Sequence, residues 1–503
     1  MLRMYRTVYT TITYDLRGIA VNFRASICSS MNRRNLLRNG LFATAGATML
    51  GPLSSIKTSA ASPVLKGKRA KNIIFLVSDG MSQGTLTMAD EMLLRRDGRH
   101  SHWIQLYRDN RLVRSMMDTS SASSIVTDSA AGGSAWGGGM RINNGALNVG
   151  PNGERPVPIL QKFQKAGKAV GCVTTVPITH ATPASFCINN NSRRGQPEIA
   201  VQYLPLKFDV MLGGGTEHFT TDSREDKRNL FQEFRDAGYA VARTKSEVAS
   251  APIDKPLLGV FHDDALPYTV DHLNSAVHKT NIPTLAEMTT VAIDRMKKNP
   301  NGFVMQVEGG KVDWAAHGND VAGLIFDQIA FDDAVKVAID FATQDGETLV
   351  IITTDHGNAN PGLFYGAAAN DNFDRLAKFT GSNKAVFDQL KQSTSASQLI
   401  EIINATQLYT LTNEQATSLM SKISALTDAE LSDSYKLPFA ELAMMQRPHT
   451  SVHFADTNHS SDYVELAAFG PGSELLKPFT INTDLHIMML EATEMPQEYF
   501  FIK

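Results

Sequence analysis

Cysteine is scarce in this 503-residue sequence: only Cys28, Cys172 and Cys187 are present. Cys28 lies in a basic N-terminal stretch, so no disulfide framework organises the rest, and one bridge between Cys172 and Cys187 is open in an oxidising compartment. Cys172 sits inside the apolar run Ala169 to Val173 and reads as a buried thiol, not a nucleophile. Long apolar runs are missing too, since the mild stretch Gly40 to Leu53 is too short for a bilayer-spanning helix. There is no excess of positive charge. The formal net charge is −3, and because Asp15 is the one acid among the many bases of residues 1–61, the remaining body is more acidic than that figure. Such a body disfavours nucleic acid as a partner, and any anionic substrate must be met by a locally positive pocket. No internal repeat, coiled coil or low-complexity tract occurs. The composition, 43% hydrophobic and 20% charged, is that of an ordinary globular chain and identifies no function.

The basic front end reads as a targeting segment. Arg33-Arg34-Asn35-Leu36-Leu37-Arg38 precedes the apolar run Gly40 to Leu53 and the small residues Ser59-Ala60-Ala61, the order of a twin-arginine export signal. Residues 1–61 are therefore expected to be a leader, with Met31 offering an alternative start that would set residues 1–30 apart. Residues 62–503 are expected to form a single domain, exported to the periplasm or secreted.

Short apolar runs that end in polar or glycine residues mark a buried parallel sheet: Ile73 to Val77, Ala169 to Val173, Phe303 to Val307, Leu349 to Thr353 and Val464 to Phe469. Stretches of helical character separate them, at Gln83 to Leu94, Ile159 to Ala166, Thr284 to Met296 and Ala322 to Ala342. The expected fold is α/β, a large central, mostly parallel sheet sandwiched by helices. A Ser-, Thr- and Gln-rich segment at about 373–447 has helical spacing and no strand-like run, and reads as a helical insertion between two sheet strands.

Ligands of such folds gather beyond the carboxyl ends of the strands, and carboxylates stand there. Asp79, Glu308, Asp313, His317, Asp355, His356 and His459 all fall at strand ends or just after them, a donor set suited to zinc and similar divalent ions. Asp313 and His317 are four apart, on one face if that stretch is helical. Taken singly, each is a cap, a turn former or a solvated side chain; together they point to metal. In Thr127-Asp128-Ser129-Ala130-Ala131-Gly132, Ser129 is either an N-cap serine or a nucleophile at a helix start whose amides face an incoming phosphate. Arg193, thirteen residues after His180, is either a phosphate fork or half of a solvated Arg193-Arg194 pair.

The segments Asp79-Gly80-Met81, Thr127-Asp128-Ser129-Ala130-Ala131, His180-Ala181-Thr182-Pro183, Met211-Leu212-Gly213-Gly214-Gly215, Val307-Glu308-Gly309, Asp313 with His317, Thr354-Asp355-His356-Gly357 and Asn458-His459 together resemble the alkaline phosphatases over about residues 71–475, the insertion excepted. The resemblance implies that Asp313, His317 and His459 hold one zinc, that Asp79, Asp355 and His356 hold a second, and that Asp79, Thr182 and Glu308 hold a third ion, magnesium. It makes Ser129 the nucleophile and Arg193 the phosphate clamp. His180 stands where an Asp often organises the third metal site, Trp314 stands where a Lys often contacts phosphate, and both, with Asp128, are expected beside the ligands. The implied activity is hydrolysis of small phosphate monoesters through a phosphoserine, with broad substrate range, in a homodimer. A phosphodiesterase or sulfatase-like relative is the alternative within the superfamily; a phosphomutase and a non-catalytic binding protein are more distant ones.

Overall fold

A strand that is apolar along its whole length needs cover on both sides, and the first strand sets that pattern. The computed structural model describes residues 69–500; the leader expected at residues 1–61 lies outside them. In β1 (Asn72–Val77) every residue is buried, with Ile74 and Leu76 facing one core and Ile73, Phe75 and Val77 facing the other. The remaining strands, in chain order, are β2 (Val113–Asp118), β3 (Ala169–Pro177), β4 (Val210–Gly214), β5 (Ala240–Ala242), β6 (Leu257–Val260), β7 (Phe303–Glu308), β8 (Thr348–Thr353), β9 (Gly357–Asn358), β10 (Gly362–Leu363), β11 (Val452–His453), β12 (His459–Ser460), β13 (Val464–Phe469) and β14 (Phe479–Ile481).

Ten of these form one sheet in the order β14-β2-β13-β8-β1-β7-β3-β4-β6-β5. All neighbours are parallel except at β13, which runs antiparallel to both β2 and β8. The expected mostly parallel sheet flanked by helices is thus observed, with one reversed strand whose apolar sequence gave no hint of direction. The reversal has a topological cause. After β8 the chain leaves the carboxyl edge of the sheet, β9 and β10 pair antiparallel with β12 and β11, and the returning chain re-enters at the same edge, so β13 must run back.

Between β10 and β11 lies the helical insertion, whose helices run from Ala369–Leu376 to Phe439–Thr450, a few residues wider at each end than the expected 373–447. The four helices between these two are capped by Ser382, Ser395, Thr412 and Thr427 side chains. Asn383, Gln407 and Gln446 form a buried amide trio within it.

Register decides where the functional residues stand. Val77 is level with Glu308 on one side and Thr353 on the other, and Thr174 is level with Glu308. The carboxyl ends of β8, β1, β7 and β3 therefore lie side by side. No helix among the described residues is long and apolar enough to cross a membrane.

Candidate active site

Ser129 begins the helix Ser129–Gly137 but does not cap it. The N-cap is Asp128, whose Oδ1 accepts from the Ala131 amide at 3.0 Å. The serine hydroxyl is thereby released from capping and lies, 1% exposed, 3.2 Å from His356 Nε2 and 3.4 Å from Asp79 Oδ1. The helix reaches this depth because its next turn is glycine. A Cβ on Gly132 would stand 3.1 Å from the Asp355 Cβ, and one on Gly133 only 2.4 Å from the Ser185 Oγ.

Three sets of candidate ligands converge, each with donor atoms within 4.8 Å of one another: Asp313, His317 and His459; Asp79, Asp355 and His356; and Asp79, His180 and Glu308. In the first set, the helix Lys311–His317 puts Asp313 and His317 on one face, their side chains 3.4 Å apart. His459 follows the insertion in sequence, and the pairing of β12 with β9 delivers it, His459 opposite Asn358. Its ring stacks on His356 with centroids 3.6 Å apart.

Backbone carbonyls fix the tautomers. His317 Nδ1 lies 2.6 Å from Thr457 O and His459 Nδ1 lies 2.9 Å from Thr127 O, so in the neutral rings both Nδ1 atoms carry the proton and both Nε2 atoms present lone pairs. Those two Nε2 atoms face each other at 3.0 Å, with the Asp313 carboxylate 3.4 Å from one and 3.6 Å from the other. Two lone pairs and an anion pointed at one small volume repel unless a cation lies among them, which fits a resident metal ion.

The other sets are electrostatically just as unbalanced. Burial, aided by the Asp355 charge, pushes Asp79 well above the usual carboxylate range; burial also lifts Glu308 to about 8 and Asp355 to about 6. Asp313 is the exception: burial alone would raise it, but positive charge on His317, His459 and His356, which those rings carry when protonated, outweighs that and holds it well below its ordinary value. Glu308 Oε1 and Asp355 Oδ2 are buried without hydrogen-bond partners, as expected of oxygens reserved for cations.

Thr182 is fully buried, and its hydroxyl donates to Asp79 Oδ2 at 3.2 Å. Arg193 donates through Nη1 to Asp128 Oδ2 at 3.0 Å and through Nη2 to His180 Nε2 at 3.1 Å. It is therefore tethered from two sides, unlike a solvated surface arginine. The guanidinium can only donate, so His180 Nε2 accepts. Burial and the Arg193 charge push His180 down to about 3, leaving it neutral with its proton on Nδ1, a buried atom without a partner. In this arrangement His180 offers a proton, not a lone pair, so within the third set Asp79 and Glu308 are the ones that present lone pairs to an ion. Trp314 packs its ring edge on His180 at 6.0 Å between centroids, while the Lys311 ammonium lies 4.9 Å from the Trp314 ring.

Two contributors escaped the reading of the sequence, and a third, Gly80, was read only as part of its motif. Asn358 donates to Asp313 Oδ1 at 2.7 Å, and Thr174 donates to Glu308 Oε2. Gly80 turns the chain at φ +68°, where a Cβ would meet Asp313 Oδ1 at 2.5 Å. Asn358 lies two residues after His356, so proximity to the motif was a signal; Thr174 had none beyond its place in a strand.

A family model described as alkaline phosphatase matches residues 70–495. Alkaline phosphatase 4 of Bacillus subtilis (strain 168) is 31% identical over 422 residues, which cover 82% of this chain and 87% of that protein. Alkaline phosphatase 3 of the same organism is 30% identical over 454 residues, covering 88% and 93%. The crystal structure of Thermus thermophilus alkaline phosphatase superposes with a TM-score of 0.79 at 31% identity, over 86% of this chain and 92% of that one.

Proposed function

This chain belongs to the alkaline phosphatase family and is a phosphate monoester hydrolase, and on that premise we propose that it works through a phosphoserine at Ser129, in a site holding two zinc ions and one magnesium ion, on a broad range of small phosphate monoesters. The observation that carries this reading is the convergence of the His317 and His459 lone pairs with Asp313, next to a serine hydroxyl freed from capping by Asp128. Asp313, His317 and His459 would hold one zinc, Asp79, Asp355 and His356 the second, and Asp79, Thr182 and Glu308 the magnesium, with His180, Trp314 and Asp128 alongside. Bound there, the ions supply positive charge that offsets the ester dianion and acidify both the serine hydroxyl and the hydrolytic water.

The chain's own residues then divide the work. Ser129 Oγ gives its proton to solvent and attacks phosphorus in line; the new O–P bond forms as the ester P–O bond breaks, and the alcohol departs with a proton from solvent. Asp128 takes the Ala131 and Gly132 amides, so the Ser129 and Ala130 amides would be the ones left at the helix start for the phosphoryl oxygens. Arg193, aimed by Asp128 and His180, offers its fork to the equatorial oxygens. Water next attacks the phosphoserine, the P–Oγ bond breaks, and inorganic phosphate leaves with Ser129 restored. Because these contacts address the phosphoryl group and not the alcohol, substrate range is broad.

The twin-arginine segment supports export, with residues 62–503 as the mature single domain, periplasmic or secreted, and assembled as a homodimer. The direct test is acid quenching of the enzyme with a small phosphate monoester, followed by peptide mass spectrometry. A phosphorylated peptide containing Ser129 is expected; phosphate release with no such peptide, and undiminished in Ser129→Ala, would overturn the reading.

A further inference from the structure

Among the described residues there are two cysteines, and they touch. Cys172 lies in the middle of β3, Cys187 ends the helix Ala181–Cys187, and their sulfurs are 3.6 Å apart with both residues fully buried. We propose that Cys172 and Cys187 form a disulfide once the chain stands in an oxidising compartment, riveting the helix that carries Thr182 to the strand beneath it.

The sulfurs already stand in van der Waals contact. A disulfide brings its sulfurs to about 2.05 Å, and rotation about the two Cα–Cβ bonds is the natural way to close the gap from van der Waals contact. The segment to be closed matters for the site, because it contains His180 and Thr182, and because this helix is what the Ser129 helix packs upon. A Cβ at Gly133 would meet the Ser185 Oγ at 2.4 Å, and one at Gly137 would meet the Ser185 carbonyl oxygen at 2.0 Å. Fixing the far end of the helix at Cys187 thus fixes the surface against which the serine-bearing helix rests.

The oxidant required is a small disulfide such as oxidised glutathione, or a dithiol oxidoreductase in its disulfide form. One cysteine thiolate attacks the oxidant's disulfide and expels one thiol, giving a mixed disulfide. The second thiolate attacks the protein sulfur, forming the Cys172–Cys187 bond and expelling the second thiol. Two electrons and the two protein protons pass to the oxidant, which ends as two thiols. Burial raises the Cys187 thiol well above its ordinary value and also shields it, so the folded thiols react slowly. Closure therefore belongs to the folding reaction or to rare openings of the helix from the strand.

The test is to refold the full chain with its metals in an oxidised/reduced glutathione mixture and in excess reductant, then alkylate, digest without reduction and map the peptides. The expected result from the glutathione mixture is a linked pair of peptides, one holding Cys172 and one holding Cys187, lighter by two hydrogens than the separate thiols, with Cys28 alkylated. The oxidised protein is expected to melt a few degrees above the reduced one, with that difference absent in the Cys172→Ala/Cys187→Ala variant. Alkylated Cys172 and Cys187 after oxidative refolding, glutathione adducts without cross-linking, or equal melting of the two forms would overturn the proposal. None of these readouts depends on phosphatase turnover, so failure here and failure of the catalytic reading are distinguishable.

Discussion

Asp320 and Asn383 join the helix that bears Asp313 and His317 to the helical insertion: Asp320 Oδ2 accepts from the Asn383 amide at 2.6 Å, while its Oδ1 caps the helix Val321–Asp345 through the Gly323 amide at 3.0 Å. One carboxylate three residues beyond His317 thus closes the turn after that helix and anchors the amide trio of Asn383, Gln407 and Gln446. The insertion is bolted to the site's scaffold and is not a detached ornament.

Asp320→Ala is accordingly expected to cost more than a surface substitution. Losing the cap is worth about 1 kcal/mol, and stranding a buried amide about 1–3 kcal/mol. Thermal unfolding would be measured alongside zinc content, and retention of full stability and full zinc occupancy would contradict the coupling.

For Ser129→Ala, turnover of a small phosphate monoester is expected to fall by at least about a thousandfold, while inorganic phosphate still binds, because the substitution removes the nucleophile and none of the charged groups. Steady-state kinetics and calorimetric titration with phosphate check both halves. A variant that keeps a tenth of the wild-type rate would exclude Ser129 as the attacking group.

Arg193→Lys is expected to behave much like Arg193→Ala, with kcat/KM lowered by about a hundredfold or more, because a lysine cannot bridge Asp128, His180 and phosphate with one planar fork. Asp128→Asn should produce a milder version of the same defect, since it weakens the tether and leaves the guanidinium in place. Near-wild-type kinetics in Arg193→Lys would show that the charge alone suffices.

Stability of the metal-stripped protein should fall as pH rises. Glu308 moves from an ordinary value of 4.5 to about 8 and Asp355 from 3.8 to about 6, both chiefly through burial. A carboxyl that binds its proton more tightly in the folded chain lends stability below its unfolded value and withdraws it as pH climbs through the folded one. Between about pH 6.5 and 8, above the range in which the neutral His180 adds stability as pH rises, the melting temperature of chelated protein should decline as Glu308 ionises. Adding zinc and magnesium should abolish the decline, since the ionised carboxylates then act as ligands. A chelated sample whose melting temperature climbs over that window would contradict the burial argument.

What was legible in the sequence follows from what a parallel sheet does. Asp79, Glu308 and Asp355-His356 could be placed together because each directly follows or ends an apolar run, and parallel strands bring such ends to one edge. The direction of β13 could not be read, since Val464–Phe469 is equally apolar either way and its reversal is fixed by the pairing of β12, just before it, with β9, which lies far back in sequence. Nor could the contest between Asp128 and Ser129 for the cap be settled, because both residue types cap well and only the Ala131 contact decides it. The His180 tautomer was equally hidden, as it depends on which nitrogen Arg193 meets. Thr174 stayed unnoticed because one threonine in a strand carries no pattern.

The acceptors that aim His317 and His459 are the main-chain oxygens of Thr457 and Thr127. Every amino acid carries such an oxygen, so point changes at positions 457 and 127 leave the aim of both rings intact as long as the local path of the chain holds. Mutational drift can therefore rewrite the side chain at 457 without turning its ring, and at 127 only the packing of the buried threonine is at stake, whereas a single inserted or deleted residue there would misdirect a ring. Sensitivity of ring aim at these two positions is to chain length and not to residue identity.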